Sequence, residues 1–494
     1  MSKLNKLALG VGWGTISVIT VTGLQLVLMA IMARLLEPAH FGLIAVANVS
    51  LRFFSYFSQM GIAPALIQKP MLEVGDIRAA LALSLGVSSF FFLVAIGSAT
   101  LIERYFEMPG LGVVTQLLAF NFIISGFSSV SLGLMRRNGN FRAIAIIEII
   151  SYVGGYGVVG IFAANTGAGV WALVAAFMTQ TLLSALLSYA VVRYPLSFRH
   201  TVEQRRHFLN YGGRYSLIGF IEFLSSNIDA LLIGKLFGAT QAGFYSRALL
   251  LANLPVQQPA NVLTKALFPI MSSVGSQHDK QSTSLQLSVL LVGSYAFAVS
   301  AGIYAAAPDI VRVLLGNKWL EAIPLLQILA LSVGPLYVSH VAGVTLDSMN
   351  QLHLKLKIQL SLLAVLIGLF VLFARTGSVI TIAMMIVVTE WLRLFVMSTV
   401  LVRLLQIPMR EVSLIVFCVF IVSLFSGFSI MLVFQAIDNN MTSFLRLGAE
   451  VLAGIIGFLA GLLALRNIAV RLPAIRFLAN RVPRFSKLLP TQSE

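Results

Sequence analysis

The sequence predicts an all-α membrane protein of about fourteen transmembrane helices. Two six-helix lobes related by a parallel internal repeat are expected, with two extra C-terminal helices. Three observations predict this class. The 494 residues are 58% hydrophobic and only 11% charged, where soluble domains carry about 25% charged residues. Apolar runs recur from end to end, each long enough to cross roughly 30 Å of hydrocarbon. Finally, the corner "ARLLEPAHFG" at 33–42 is echoed 201 residues later by "GKLFGATQAG" at 234–243. A β-barrel would show short alternating strands instead.

The spans run near 8–33, 41–67, 78–102, 112–134, 143–164, 168–192, 213–236, 242–270, 283–307, 322–346, 357–375, 379–402, 412–436 and 443–465. The first follows Lys3 and Lys6 and is too long for a signal-peptide core, so a retained span is expected. Connections are short, the longest being 193–212, and leave no room for an extramembrane domain. Cys418 is the only cysteine, which excludes a disulfide framework and a cysteine metal site. At the repeat offset Gly12 faces Gly213, Arg34 faces Lys235, and Gly42 faces Gly243. The copies are six spans apart, an even number, so both enter the membrane from the same side. That makes the repeat parallel. The expected divisions are 1–200 for the first lobe, 201–405 for the second, 406–466 for spans thirteen and fourteen, and 467–494 for a basic tail.

The net charge of +16 follows from a one-sided excess of Lys and Arg and calls for no nucleic acid. The expected outer side holds only Arg34, Arg104, Lys235, Arg312, Lys318, Arg375 and Arg446, and Arg52, Arg247 and Arg393 lie within spans. The rest of the 34 basic residues fall on the other side, which places both termini in the cytoplasm. The tail "RNIAVRLPAIRFLANRVPRFSKLL" alternates basic and apolar residues, as a segment lying on anionic lipid does.

A charge at the bilayer centre costs about 2.5–3.5 kcal/mol on insertion scales, so it should face a cavity or a partner. In the second span Asn48, Arg52, Ser55 and Gln59 fall at i, i+4, i+7 and i+11, one stripe with Tyr56 on its border. At the repeat offset Arg52 maps to Asn253 and Tyr56 to Gln257, and the eighth span continues the stripe to Thr264. The match is by face, since Ser55 maps to Val256. The two stripes read as walls of one wet cavity. In the seventh span Glu222 and Asp229 share a face, about 10 Å apart along the axis, and Asp229 has Leu28 at its repeat position. Glu148 in the fifth span is another buried candidate. Arg34, Lys235 and Arg247 sit near the outer boundary, where they either snorkel or meet substrate. Glu390 and Arg393, three apart, read as a helix-locking pair. The stripes Asn121, Ser125, Ser128 and Thr181, Ser184, Ser188 read as packing contacts.

No catalytic residue, metal site or cofactor is expected. A G-x-x-x-x-G-K-[ST] loop is missing, for "IGKLF" has neither the upstream Gly nor the Ser/Thr, and H-E-x-x-H does not occur.

"ARLLEPAHFGLIAVA" at 33–47, "NIDALLIGKLFGATQAGFYSRALLLANLPVQ" at 227–257 and "LGLMRRNGNFR" at 132–142 resemble the polysaccharide-transporter (Wzx-type) flippases. These belong to the superfamily that also holds multidrug extruders and lipid II flippases. The resemblance implies a substrate, an oligosaccharide repeat unit on undecaprenyl pyrophosphate, moved between leaflets of the bacterial inner membrane for surface polysaccharide assembly. It implies alternating access, no enzyme activity, a monomer, and polymerase or co-polymerase partners beside membrane lipids. Under this reading Arg52, with Arg34, Lys235 and Arg247, meets the pyrophosphate or an acidic sugar. Asn48, Gln59, Asn253 and Gln257 line the same site, and Glu222, Asp229 and Glu148 are the ion-coupling candidates. The alternatives are a multidrug or organic-cation antiporter of the same fold and a membrane-embedded glycan polymerase or ligase.

Overall fold

In a computed structural model, residues 20–58, 66, 67, 69, 71–198, 201, 227–260, 278–373, 377–436 and 442–465 are described. Every element among them is helical. Ten of the helices are long and apolar enough to cross a membrane, and they correspond to expected spans three to six and nine to fourteen. The protein is a multi-pass membrane protein.

The chain divides into two compact units, 1–246 and 247–494. The first contains α1 (Thr20–Leu35), α2 (Pro38–Ser58), α3 (Val74–Phe106), α4 (Leu111–Arg137), α5 (Phe141–Asn165) and α6 (Val170–Val191). The helical residues 227–260, here α7, pass from the first unit into the second. The second unit continues with α8 (His278–Ile310), α9 (Ala322–Ser348), α10 (Leu352–Phe373), α11 (Val379–Leu404), α12 (Met409–Ala436) and α13 (Ser443–Ala464).

Local chemistry sets the helix ends. A capping box of Glu73 and Asp76 starts α3, and one of Ser378 and Thr381 starts α11. The Glu103 carboxylate accepts the N–H groups of Gly110 (3.0 Å) and Gly112 (2.8 Å), satisfying orphan donors at the start of α4. "LGLMRRNGNFR" is a helix–helix corner. In it α4 ends at Arg137, Gly139 takes φ 69°, and the Asn140 side chain accepts the Ala143 N–H to start α5. Arg137 reaches back and donates to the carbonyls of Leu66 (2.7 Å) and Ile67 (3.2 Å). That arginine is a structural clamp.

Inside α5 the glycine-rich stretch Val153–Gly160 is π-helical. At Gly155 a side chain would strike Ala176 and Gln180 of α6, so the missing side chain lets the two helices touch. In α8, Pro308 has no N–H for the Tyr304 carbonyl four residues back. Gln327 of α9 donates to that carbonyl at 3.5 Å, and the helix continues into the π-helical turn Val311–Leu315. Each unit has its own core. One in the first unit gathers Leu66, Leu81, Val130, Leu134 and Tyr194, and one in the second gathers Leu287, Ala298, Ile415, Cys418 and Val422.

Candidate functional site

The repeated corner is the best-defined feature of the first unit. The first copy turns between Leu35 and Pro38. In the second, Gly238 takes φ 76°, a left-handed conformation outside the α-helical range. The Tyr245 hydroxyl donates to the Asp229 carboxylate. Along one straight helix these residues would lie about 24 Å apart, so α7 folds back on itself at Gly238. The two copies also touch each other. A side chain at Gly42 would run into the Ala239 carbonyl, and one at Gly243 into the Pro38 carbonyl. Pro38 and Ala239 are themselves repeat mates, so the contact is symmetric, as a two-fold axis requires. Gly42 and Gly243 are fixed by backbone meeting backbone.

Lys235, near this corner, is half-buried and forms an ion pair with Glu107 just past the end of α3, Nζ to Oε1 2.7 Å. It also lies 5.2 Å from the centre of the Tyr105 ring. Its hydrogen bond, reinforced by its charge, holds the exposed Glu107 carboxyl below the ordinary glutamate range. Arg34 is exposed at the end of α1.

On α2, Asn48 is half-buried and Arg52 exposed, and the Ser55 hydroxyl donates to the Arg52 carbonyl at 2.8 Å. Among the described residues no ion pair or hydrogen bond engages the Arg52 guanidinium. Gln59 and Glu222 lie outside the described residues. Asp229 is buried. Glu148, expected to be buried, is exposed on α5. Its place within an apolar span predicts depth in the membrane but not which face meets protein.

In the second unit Arg247 is half-buried and Gln257 exposed. Asn253 donates to the Leu249 carbonyl at 3.0 Å, while its buried Oδ1 has no hydrogen-bond partner among the described residues. Glu390 and Arg393 form the expected pair, at 2.9 Å. Sequence reasoning did not anticipate the apolar groove among α8, α9, α11 and α12, about 450 Å³, lined by Phe297, Val338, Trp391, Phe395, Val419 and Phe420. No periodicity marks it, because its wall comes from four separate helices.

Two units of apolar helices, ten of them long enough to cross a membrane, and a symmetric contact between the repeated corners define a multi-pass helical membrane fold. Over 92% of its length the chain matches 99% of the lipid II flippase MurJ in its inward closed conformation, with a TM-score of 0.71 and 12% identity. At that identity the likeness is one of fold. Residues 31–324 match the family described as polysaccharide biosynthesis protein, and the chain belongs to that family. It is 27% identical over 345 residues to the succinoglycan biosynthesis transport protein ExoT of Rhizobium meliloti (strain 1021), covering 68% of each chain. It is 24% identical over 332 residues to the lipopolysaccharide biosynthesis protein WzxC of Escherichia coli (strain K12), covering 67% of each.

Proposed function

We propose that the protein is a flippase. It carries undecaprenyl-pyrophosphate-linked oligosaccharide repeat units from the cytoplasmic to the outer leaflet of a bacterial inner membrane, by alternating access of lobes 1–200 and 201–405, and performs no covalent chemistry. Both termini are cytoplasmic in this reading, which the Lys and Arg distribution supports. Family membership supports the substrate class. The observation that carries the reading is Arg52, an exposed guanidinium within a 21-residue, largely apolar helix and without a counter-charge among the described residues. An anionic headgroup supplies the missing partner through charge-assisted hydrogen bonds. Asn48, Gln59, Asn253 and Gln257 offer hydrogen bonds to sugar. The groove lined by Phe297, Trp391 and Phe420 suits a hydrocarbon chain. Glu222 and Asp229 are the ion-coupling candidates, with Asp229 already hydrogen-bonded by Tyr245.

The test is Arg52→Ala, assayed for polymer export with membrane insertion checked by immunoblot. A hydrogen bond to a charged group contributes about 1.5–3 kcal/mol, so export should fall by about tenfold or more at normal protein level, with Arg52→Lys retaining part. Wild-type export by Arg52→Ala overturns the assignment.

A further inference from the structure

Three ionisable side chains meet where the last helix joins the second unit. Arg446, in the first turn of α13, places Nε 3.1 Å from Oδ2 of Asp309 near the end of α8 and 3.8 Å from Oε1 of Glu450 one turn along α13. All three are buried, at 8%, 1% and 0% exposure respectively. The guanidinium also donates to the Phe434 carbonyl at 3.0 Å and lies over the Phe434 ring, so α12 closes the site. Neither carboxylate oxygen of Glu450 has a hydrogen-bond partner among the described residues, nor does Oδ2 of Asp309. Both carboxyls face the same guanidinium nitrogen, Asp309 at hydrogen-bonding distance and Glu450 just beyond it.

Two buried carboxyls thus share one guanidinium. With both ionised the cluster carries an uncompensated negative charge out of water, a state that proteins avoid by protonation. Of the elements packed on α13, α12 presents no titratable side chain to the cluster, α8 presents Asp309, and the turn after α8 presents Arg312. Arg312 sits 3.9 Å from Oδ1 of Asp309 with its side chain about half exposed, and such a water-facing pair offsets little of a buried charge. We propose that this cluster is a proton-binding site, in which Glu450 holds one proton, donates it to Asp309, and leaves Asp309 to pair with Arg446. One oxygen of each carboxyl is then satisfied, and the three groups together are neutral. Attachment of α13 to α8 becomes linked to protonation, whatever the protein transports.

Proton linkage fixes the sign. The unfolded chain releases the Glu450 proton at the ordinary glutamate value of about 4.3, while the folded protein keeps it. Stability therefore falls as pH rises above that value, by up to about tenfold in the unfolding constant per pH unit for one proton, until the folded protein also releases it. The experiment is infrared difference spectroscopy of the purified full-length protein in lipid nanodiscs from about pH 5 to about pH 9, read at the protonated-carboxyl C=O stretch, with apparent thermal midpoints alongside. Wild type should show a band at neutral pH that Glu450→Gln lacks, and a midpoint that falls with pH where Glu450→Gln stays flat. Asp309→Asn leaves one carboxyl for one guanidinium, so it should remove the band with Glu450 still in place. That variant also serves if Glu450→Gln does not fold. A wild-type spectrum without a Glu450-dependent band, or an unchanged band in Asp309→Asn, overturns the proposal.

Discussion

Asp229 and Tyr245 occupy positions that the first copy of the repeat fills with Leu28 and Ile44. An apolar pair in one copy is thus a hydrogen-bonded pair in the other. Removing the donor by Tyr245→Phe takes a hydrogen bond from a buried carboxyl, at a cost of about 1–3 kcal/mol. Replacing both partners by apolar groups should recover much of it. Thermal unfolding should therefore rank Tyr245→Phe below wild type, with the double variant Asp229→Leu/Tyr245→Ile above Asp229→Leu alone; additive losses would show that the two side chains do not couple. Asp229 was legible in the sequence as an unmatched acid, but its partner was not. The bond spans a reversal that depends on the left-handed Gly238, and helical phase cannot see around a corner. Arg446 shows the same limit, since counting charges puts it at the outer boundary while the structure buries it against Asp309.

Among elements, the corner helices are held by what Gly42 and Gly243 lack. Gly42→Ala presses a methyl group into the Ala239 carbonyl, and backbone cannot move aside as a flexible side chain does. Overpacking of this kind costs typically about 1–3 kcal/mol, so the variant should unfold at a lower temperature than wild type. Gly86→Ala in α3 meets nothing within 4 Å and should be neutral or better, because alanine is the stronger helix former. Equal behaviour of the two variants would contradict the close approach. Ten of the expected spans were well read from apolar length, because each membrane span must satisfy its own backbone hydrogen bonds. The π-helical stretch of α5 and the Glu103 cap of α4 were not. Both depend on neighbours brought close only by folding.

For the molecule as a whole, the flippase and antiporter readings separate in one strain. Deleting the gene should abolish surface polysaccharide and leave lipid-linked repeat units on the cytoplasmic side, with drug susceptibility unchanged. A changed drug profile with intact polysaccharide would favour the antiporter. The fold class was legible because membrane insertion writes itself into composition. Of the proposed binding face the sequence marks only polar stripes on two helices, because a wall is assembled from segments distant in sequence. The repeated corner also couples its two copies. Pro38 meets Gly243 while Gly42 meets Ala239, the reciprocal pattern of an isologous interface, in which i touches j′ and j touches i′. A change at any of these four positions therefore acts on both copies of the corner at once, and each copy limits what the other can accept.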